Sequence, residues 1–359
     1  MYRSLGPGDG SVRLGAVVVA VVIVVVAAGC STPAPTSGPP PPPAGPHLVD
    51  TVPGRQSCAI RSNGTVGCFG FNDWGQLGDG TRTNSAAATT VPGITDAVSV
   101  TTGYNFSCAL RSTGRVSCWG DNYYHELLPG GAGFYTTPVD VGLATVAAIS
   151  AGYEHLCFLF GNGAVRCRGN NSRGELGNGL LGVSTDTNVA GLTAKRIAAS
   201  DQTTCAIRTT GAVVCWGNQY TLDPNPPLGF DAALTPRTIG NLTNAKEIEL
   251  TGGLGTPCVV LADTTTRCWG PPPGGGPVPP LDWYEKIPGL TGVVENTGGC
   301  AVFVDGTVDC YHFPTKPDPF PFESLTGVAD LSELCARLSD GGLQCWLDTS
   351  HDPVPVPGW

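Results

Sequence analysis

The chain has 359 residues, of which 13% are charged, and it contains 51 glycines, 32 prolines and 15 cysteines. So few charged residues exclude long charged helices and coiled coils and favour turn-rich β structure. The net charge of −10 argues against the clustered basic surface that nucleic-acid binding requires, so we expect no nucleic-acid partner. Fifteen cysteines indicate an oxidising compartment unless they bind metal or carry out redox chemistry.

The N-terminal segment has the features of an export signal. An apolar run over residues 14–28 follows Arg3 and Arg13 and ends directly before Gly29 and Cys30. This run is shorter than the ~20 residues that a membrane-spanning helix needs, so residues 1–29 are predicted to be a secretory signal peptide. The segment resembles a bacterial lipoprotein signal, which implies that Cys30 is the lipid attachment site. The alternative is an ordinary signal peptide with an incidental cysteine.

Residues 30–46 form a second segment of distinct composition. It is rich in Ser, Thr, Pro, Ala and Gly and includes an unbroken proline run from Pro39 to Pro43. Such a segment is biased towards an extended polyproline II conformation with a rise of ~3.1 Å per residue. We interpret it as a stalk between the membrane and a folded domain over residues 47–359. A ligand for a proline-recognition domain is the alternative interpretation.

The cysteines of the predicted domain occur in seven pairs, and each pair encloses nine residues. Cys30 is the one cysteine left over. The pairs are Cys58 and Cys68, Cys108 and Cys118, Cys157 and Cys167, Cys205 and Cys215, Cys258 and Cys268, Cys300 and Cys310, and Cys335 and Cys345.

This spacing predicts a β-hairpin closed by a disulfide. In six of the seven units a glycine such as Gly64 stands six residues after the first cysteine, which is typical of a three-residue hairpin loop with a left-handed last residue. That loop places Cys58 directly opposite Cys68 at a non-hydrogen-bonded pair, with Cα atoms about 4.5 Å apart. The fifth unit has Thr264 in the glycine position, so its turn is predicted to differ.

Alternation of side chains around each pair predicts that both faces of the hairpin are buried. Cys58, Ile60 and Val66 share one face, while an aromatic residue follows the second cysteine in most units, as at Trp119, and Arg168 is an exception. Structural zinc sites and redox-active pairs use shorter spacings than nine residues, so we expect neither metal nor cofactor. One cross-link closing each hairpin would stabilise the fold by roughly 2.5 to 3 kcal/mol.

The segments after the hairpins carry a family resemblance. Residues 70–78 read Gly-Phe-Asn-Asp-Trp-Gly-Gln-Leu-Gly, and residues 169–177 read Gly-Asn-Asn-Ser-Arg-Gly-Glu-Leu-Gly. With the preceding hairpin and the apolar strand that follows, these segments resemble the regulator-of-chromosome-condensation repeat family. The later units lose part of this turn.

The resemblance implies an all-β, seven-bladed β-propeller over residues 47–359, with one in-blade disulfide per blade. The C-terminal residues 356–358 align with residues 91–93, whereas the segment from His47 to Gly54 aligns with residues 97–103. The two termini are therefore predicted to build the same blade and to close the ring, which removes an open sheet edge.

The sequence favours a binding protein over an enzyme. The five histidines (His47, His125, His155, His312 and His351) fall in different units, with no local nucleophile motif. A polysaccharide-active propeller enzyme is the alternative, because Asp121, Glu126 and Glu175 lie in loop turns, although acids in loops are usually solvated. A purely structural component of the envelope is a third possibility.

One inter-blade loop is the candidate binding surface. It concentrates aromatic side chains that often anchor protein interfaces: Tyr123, Tyr124, His125, Phe134 and Tyr135. Some of them could instead pack against the neighbouring blade.

Together with the export signal and the stalk, these features predict a monomer, lipid-anchored in the cell envelope at the outer membrane and facing the periplasm or the surface. Its expected partner is a protein or an envelope glycan.

Overall fold

The structure is a computed structural model that describes residues 56–131, 133–182, 186–218, 232–251, 256–268, 285–286, 293–297, 300–303, 308–310, 328–331, 335–338, 342–345, 354–357 and 359. The chain divides into two units, Met1–Ser37 and Gly38–Trp359, and every described residue belongs to the second. The predicted signal peptide, the stalk and Cys30 lie outside the described residues. In the part that is described, all regular structure is β-strand, and no helix of membrane-spanning length and hydropathy occurs.

The described strands form seven antiparallel sheets, each built from consecutive strands of one cysteine repeat. The first three sheets comprise β1 Gln56–Ile60, β2 Val66–Gly70 and β3 Ser85–Thr90; β4 Ala97–Thr102, β5 Phe106–Arg111, β6 Val116–Asp121 and β7 Phe134–Asp140; and β8 Val146–Ala151, β9 His155–Phe160, β10 Val165–Gly169 and β11 Thr187–Asn188. The fourth and fifth comprise β12 Ala194–Ser200, β13 Thr203–Arg208, β14 Val213–Asn218 and β15 Ala232–Thr238; and β16 Ala245–Thr251, β17 Thr256–Leu261, β18 Thr266–Cys268 and β19 Glu285–Lys286. The last two comprise β20 Val293–Thr297, β21 Cys300–Phe303 and β22 Val308–Cys310; and β23 Val328–Leu331, β24 Cys335–Leu338, β25 Leu343–Cys345 and β26 Val354–Pro355.

The predicted hairpin register is confirmed. In every one of these seven sheets the two cysteines of a repeat are direct partners across neighbouring strands. Four disulfides are described, with Cα atoms 4.0 to 4.1 Å apart: Cys58–Cys68, Cys108–Cys118, Cys157–Cys167 and Cys205–Cys215. Cys258 is also disulfide-bonded. The side chains of the last two cysteine pairs lie outside the described residues, so their bonds stay a prediction.

The hairpin turn corrects one expectation. Gly64 has φ of 79°, and the Arg61 N–H donates to the Thr65 carbonyl at 2.8 Å. Thr264, predicted to produce a different turn, has φ of 65°, and the Leu261 N–H donates to the Thr265 carbonyl at 2.9 Å. The prediction was wrong because the Asp263 carboxylate accepts hydrogen bonds from the Thr265 amide and hydroxyl, at 3.1 and 2.7 Å, which stabilises the same loop.

Neighbouring sheets pack face to face, so both faces of each early hairpin are buried. Trp119 of the second sheet is fully buried in one apolar cluster with Cys58 and Cys68 of the first sheet. Trp216 of the fourth sheet is likewise clustered with the Cys157–Cys167 pair of the third. Arg168 occupies the tryptophan position in the third sheet and is itself 1% exposed. Its guanidinium donates to the Leu127 carbonyl at 2.7 Å and lies 3.2 Å from the Asp186 carboxylate.

The C-terminal strand lies in the last sheet, whereas residues 47–54, predicted to build one blade together with it, lie outside the described residues. β26 pairs with β25 through Val354 and Cys345, which is the place that the fourth strand takes in the earlier repeats. The last repeat supplies this fourth strand itself, because the short connection from β25 to β26 costs little loop-closure entropy. The first and last sheets nevertheless touch, since the Ala88 N–H donates to the Pro357 carbonyl at 2.9 Å. An apolar cluster also joins Ala59 and Phe69 to Leu343 and Val356.

Candidate binding surface

The loops that follow the first three hairpins share one internal support. A buried asparagine near the start of each loop accepts a hydrogen bond at its Oδ1 from a leucine amide five residues later. These bonds join Asn72 to Leu77 at 2.9 Å, Asn122 to Leu127 at 2.8 Å, and Asn171 to Leu176 at 3.0 Å. The side-chain amide thus replaces backbone partners in a tight turn and fixes the loop on the sheet.

Large apolar side chains are exposed on these same loops. Among the described residues they are Phe71, Trp74, Tyr123, Phe134, Leu180 and Leu181, and we call this set the loop-end hydrophobics. All six lie in the loop between the second strand of the cysteine hairpin and the strand that follows it, or at the first residue of that following strand. They therefore belong to the end of the sheets that lies opposite the hairpin turns.

Two aromatic residues of this set come from adjacent repeats and contact each other. The rings of Trp74 and Phe134 meet edge to face with centroids 6.5 Å apart. The Arg82 guanidinium lies 5.0 Å from the Phe134 ring centroid, and its Nε donates to the Asp73 carbonyl at 2.6 Å. Such cation–π and edge-to-face contacts hold exposed rings in a fixed arrangement.

The five residues predicted as the binding surface do not form one uniform patch. Tyr123 is 71% exposed and packs edge to face on the half-buried Tyr124, with ring centroids 4.9 Å apart. Phe134 is 39% exposed but faces Trp74, which sequence reasoning did not assign to the surface. Tyr135 is half-buried and packs against the core between the second and third sheets.

His125 stands where the neighbouring repeats have glycine. Its φ of 63° is left-handed, as are the φ values of 79° at Gly75 and 84° at Gly174. A Cβ atom at Gly75 would lie 2.8 Å from the Thr136 backbone, so the first repeat requires glycine there. Thr136 belongs to the fourth strand of the next sheet, and the corresponding strand for His125, β11 of the third sheet, has only two residues. The Nδ1 atom of His125 is buried and has no hydrogen-bond partner.

The loop acids predicted to be solvated are buried. Glu126 and Glu175 are each 1% exposed and occupy the position of the buried Gln76 in the first repeat. Glu175 accepts a hydrogen bond from the Arg173 amide at 2.8 Å, as Gln76 accepts one from the Trp74 amide at 2.9 Å. Burial raises the pKa of Glu126 to about 8 and that of Glu175 to about 7. The expectation failed because an uncharged carboxyl group replaces the glutamine amide at little cost.

Glu154, in the turn between β8 and β9, lies among these acids. Burial and the Glu154 charge raise the pKa of both Asp121 and Asp201, and the Glu154 charge adds to the increases at Glu126 and Glu175. We call these five residues the acidic cluster. Asp121, Glu154 and Asp201 are half-buried.

Backbone hydrogen bonds tie together the turns that carry the cluster. The Tyr104 N–H donates to the Tyr153 carbonyl at 2.8 Å, and the Tyr153 N–H donates to the Asp201 carbonyl at 2.7 Å. The rings of Tyr104 and Tyr153 lie 3.9 Å apart between centroids. Asn170 donates to the Glu154 carboxylate at 2.8 Å. The half-buried carboxylates are therefore held on a rigid framework of turns.

His155 has a structural role. Its Nε2 lies 2.8 Å from the Thr204 hydroxyl, which donates to the Glu175 carbonyl at 3.1 Å, so Nε2 is assigned as the donor to Thr204. Complete burial lowers the pKa of His155 to about 3 and keeps the ring neutral. In the described part of the chain no group of three or more His, Cys, Asp or Glu side chains has the geometry of a metal site.

Comparisons with known families point to one repeat. Residues 97–126, 146–175 and 194–220 match one model of the Regulator of chromosome condensation (RCC1) repeat, and residues 63–110 match a second model of that repeat. Comparison with curated protein sequences finds no significant match.

Several solved structures share the fold. Prp20p from Saccharomyces cerevisiae is 17% identical with a TM-score of 0.60, covering 86% of this chain and 76% of that chain. Human WBSCR16 is 16% identical with a TM-score of 0.58, covering 86% and 81%. Yeast RCC1 (Prp20) in a structure with Kap60 is 18% identical with a TM-score of 0.55, covering 86% and 74%. At these identities the similarity extends to the fold alone.

Proposed function

Residues 63–220 carry repeats of the regulator of chromosome condensation family, and from this we propose that the protein is a seven-bladed, ring-closed propeller that binds a protein partner. The binding surface is the end of the sheets that carries the loop-end hydrophobics. The protein acts there without turning over a substrate.

Two groups of contacts support the closed ring of seven blades. The described residues form seven sheets, and consecutive early sheets share apolar clusters. The first and last sheets also touch, through the hydrogen bond from Ala88 to Pro357. In addition, the Arg61 guanidinium lies 5.0 Å from the Trp359 ring centroid. A ring closed by packing between its first and last sheets leaves no sheet face open to solvent.

The observation that carries the binding proposal is the one-sided distribution of the loop-end hydrophobics. Folded monomers keep few large apolar side chains exposed, and aromatic residues at one surface are typical of protein interfaces. The structural relatives fit this proposal, because Prp20p has binding properties towards Gsp1p and histones, and the same yeast protein has been solved in complex with Kap60.

A polysaccharide-active enzyme is less well supported. A glycosidase requires two carboxyl groups that reach the scissile bond from opposite sides. Glu126 and Glu175, the acids with the largest increase in pKa, are each 1% exposed and so do not reach a bound glycan. The half-buried acids are better suited to binding.

We place the protein in the bacterial cell envelope, anchored by a lipid on Cys30 and held away from the membrane by the stalk. The N-terminal apolar segment followed by cysteine supports export and acylation. The described disulfides support an oxidising compartment. The rigid hairpins would then present the loops to a partner in the envelope.

The test is capture of a partner followed by a quantitative comparison of variants. Envelope proteins that bind the purified protein are identified, and the dissociation constant of the major partner is measured for Trp74→Ala combined with Tyr123→Ala. We expect this double variant to bind at least about tenfold more weakly, because exposed aromatic anchors are lost. The matched control is Thr113→Ala combined with Thr210→Ala at the exposed hairpin turns. Equal weakening in both variants, or hydrolysis of envelope glycan by the wild type, would overturn the proposal.

A further inference from the structure

The acidic cluster combines accessible and buried carboxyl groups on one framework of turns. Asp121, Glu154 and Asp201 are half-buried and therefore accessible to a ligand. The Asp121 N–H donates to the Asn105 carbonyl at 2.9 Å, and the Asn170 N–H donates to the Glu154 carbonyl at 2.7 Å. Equivalent bonds between adjacent turns fix the positions of the acids before any ligand arrives.

Two buried polar atoms, one within the cluster and one in the adjacent residue, have no hydrogen-bond partner among the described residues. Glu126 is 1% exposed, and its Oε2 atom accepts no hydrogen bond. The buried Nδ1 atom of the adjacent His125 likewise has no hydrogen-bond partner. The charges of Asp121 and Glu154 add to the increase in the pKa of the Glu126 carboxyl group, so that group lies near these two acids. Ionising a buried carboxyl group that has one oxygen without a partner is costly unless a positive charge nearby compensates it.

Backbone N–H groups lower the pKa of Asp121 and Glu126, but the charged groups that act on them raise it. The charges that act on Asp121, Glu126 and Asp201 in the described structure come from other acids, while the Arg173 charge acts on Glu175. The charges of Glu154, Glu126 and Asp121 raise the pKa of Tyr124, so this tyrosine lies near the same acids, and its ring packs edge to face on that of Tyr123. Carboxylates beside aromatic rings form a favourable environment for an organic cation.

We propose that the half-buried acids of the acidic cluster, Asp121, Glu154 and Asp201, bind a lysine or arginine side chain of the partner protein, bordered by Tyr124. This inference rests on the proposed protein-binding function and adds the chemistry of the partner. The cation contacts the accessible carboxylates. Its positive charge also favours the ionised form of the buried Glu126 carboxyl group. A metal ion is a poorer occupant, because the described acids lack the geometry of a metal site.

Binding of the cation is coupled to a proton. Glu126, with a pKa of about 8, is mostly uncharged at pH 7. The charges of Asp121 and Glu154 raise its pKa, the Tyr124 backbone N–H lowers it, and the Glu126 charge in turn raises the pKa of Tyr124. A bound cation favours the ionised carboxylate, so binding releases a proton and tightens as the pH rises from 6 towards 9. A lysine ligand keeps its charge over this range.

The experiment measures binding of a fluorescently labelled hexalysine peptide to the purified protein by anisotropy at low salt. We expect saturable binding that weakens by about tenfold in a variant that combines Asp121→Asn with Glu154→Gln. The control is Asp263→Asn, which removes one charge at a hairpin turn and keeps the carbonyl oxygen that accepts from Thr265. Asn63 supports the equivalent turn of the first repeat in the same way, so this control leaves the fold unchanged.

Two further results decide the inference. In Glu126→Gln the tightening between pH 6 and pH 9 should be lost, whereas Asp263→Asn should keep it. The inference is overturned if hexalysine does not bind, or if the control weakens binding as much as the cluster variant. Either result leaves the proposed function standing when the loop-end variants still weaken binding of the captured partner, so the two failures are distinguishable.

Discussion

The indole N–H of Trp119 donates a hydrogen bond of 2.9 Å to the backbone carbonyl of Gln76, in the loop of the preceding repeat. The same bond joins Trp216 to the carbonyl of Glu175 at 2.7 Å. Each bond connects a buried tryptophan of one hairpin to the loop that follows the hairpin before it. The loops that carry the candidate surface are thereby fastened to the next sheet.

Replacing Trp119 by phenylalanine should destabilise the fold by about 1 to 3 kcal/mol, because the Gln76 carbonyl loses a buried donor and a small cavity remains. The free energy of unfolding in guanidinium chloride is the measurement. Trp74→Phe is the matched control, since Trp74 is 40% exposed, and it should change stability by less than about 0.5 kcal/mol. Similar losses in the two variants would contradict the structural role of this bond.

The buried acids predict a pH dependence of stability. The folded-state pKa values of about 8 for Glu126 and about 7 for Glu175 exceed the ordinary value of 4.5, so their stabilising contribution is complete below pH 4.5, falls progressively as the pH rises, and is lost once the pH has passed 7 and 8. Glu126→Gln combined with Glu175→Gln should reduce the fall in unfolding free energy between pH 5 and pH 9 by up to about 7 kcal/mol, the linkage value for these two shifts. An unchanged pH profile in this variant would show that both acids ionise freely.

The left-handed residue of the fifth hairpin predicts a stabilising substitution. Thr264→Gly should raise the free energy of unfolding by about 0.5 to 1 kcal/mol, because glycine adopts this φ without strain. The reverse change, Gly64→Thr, should be destabilising, since a Cβ atom there would lie 2.6 Å from the Thr95 carbonyl oxygen. Thermal unfolding of both variants measures the difference. A loss of stability in Thr264→Gly would contradict the strain at Thr264.

The register predicts the complete disulfide pattern. Non-reducing peptide mapping should find seven bonds, each within one hairpin, including Cys300 to Cys310 and Cys335 to Cys345, whose backbone positions are direct partners. Removal of one bond should cost about 2 to 3 kcal/mol on the chain-entropy model. A bond between cysteines of different hairpins would be incompatible with the register.

The predicted lipid attachment is tested in cells. Cys30→Ser should move the protein from the membrane fraction to the soluble fraction and leave its melting temperature unchanged, because Cys30 lies outside the repeats. The fraction of protein retained after detergent-free washing is the measurement, with a serine substitution at nearby Thr32 as control. Retention of the Cys30 variant would indicate an uncleaved membrane anchor instead.

Local geometry explains which features the sequence could predict. The nine-residue spacing and the turn glycines determine the register of Cys58 against Cys68, because a hairpin loop of fixed length allows one pairing. The burial of Glu126 could not be read in this way, since it depends on the neighbouring repeat. Gln76 at the equivalent position was nevertheless a signal. Trp74 was missed as a surface residue because its partner Phe134 lies in the next repeat.

Each described sulfur–sulfur bond spans ten residues of sequence and lies within one hairpin. Oxidation of one repeat therefore neither waits for nor constrains the assembly of the others. A chain that emerges N-terminus first completes each cross-link as soon as its own hairpin has formed. Correct pairing is then favoured by proximity in time as well as in space, and we expect reshuffling of wrong partners to have little part in the maturation of this protein.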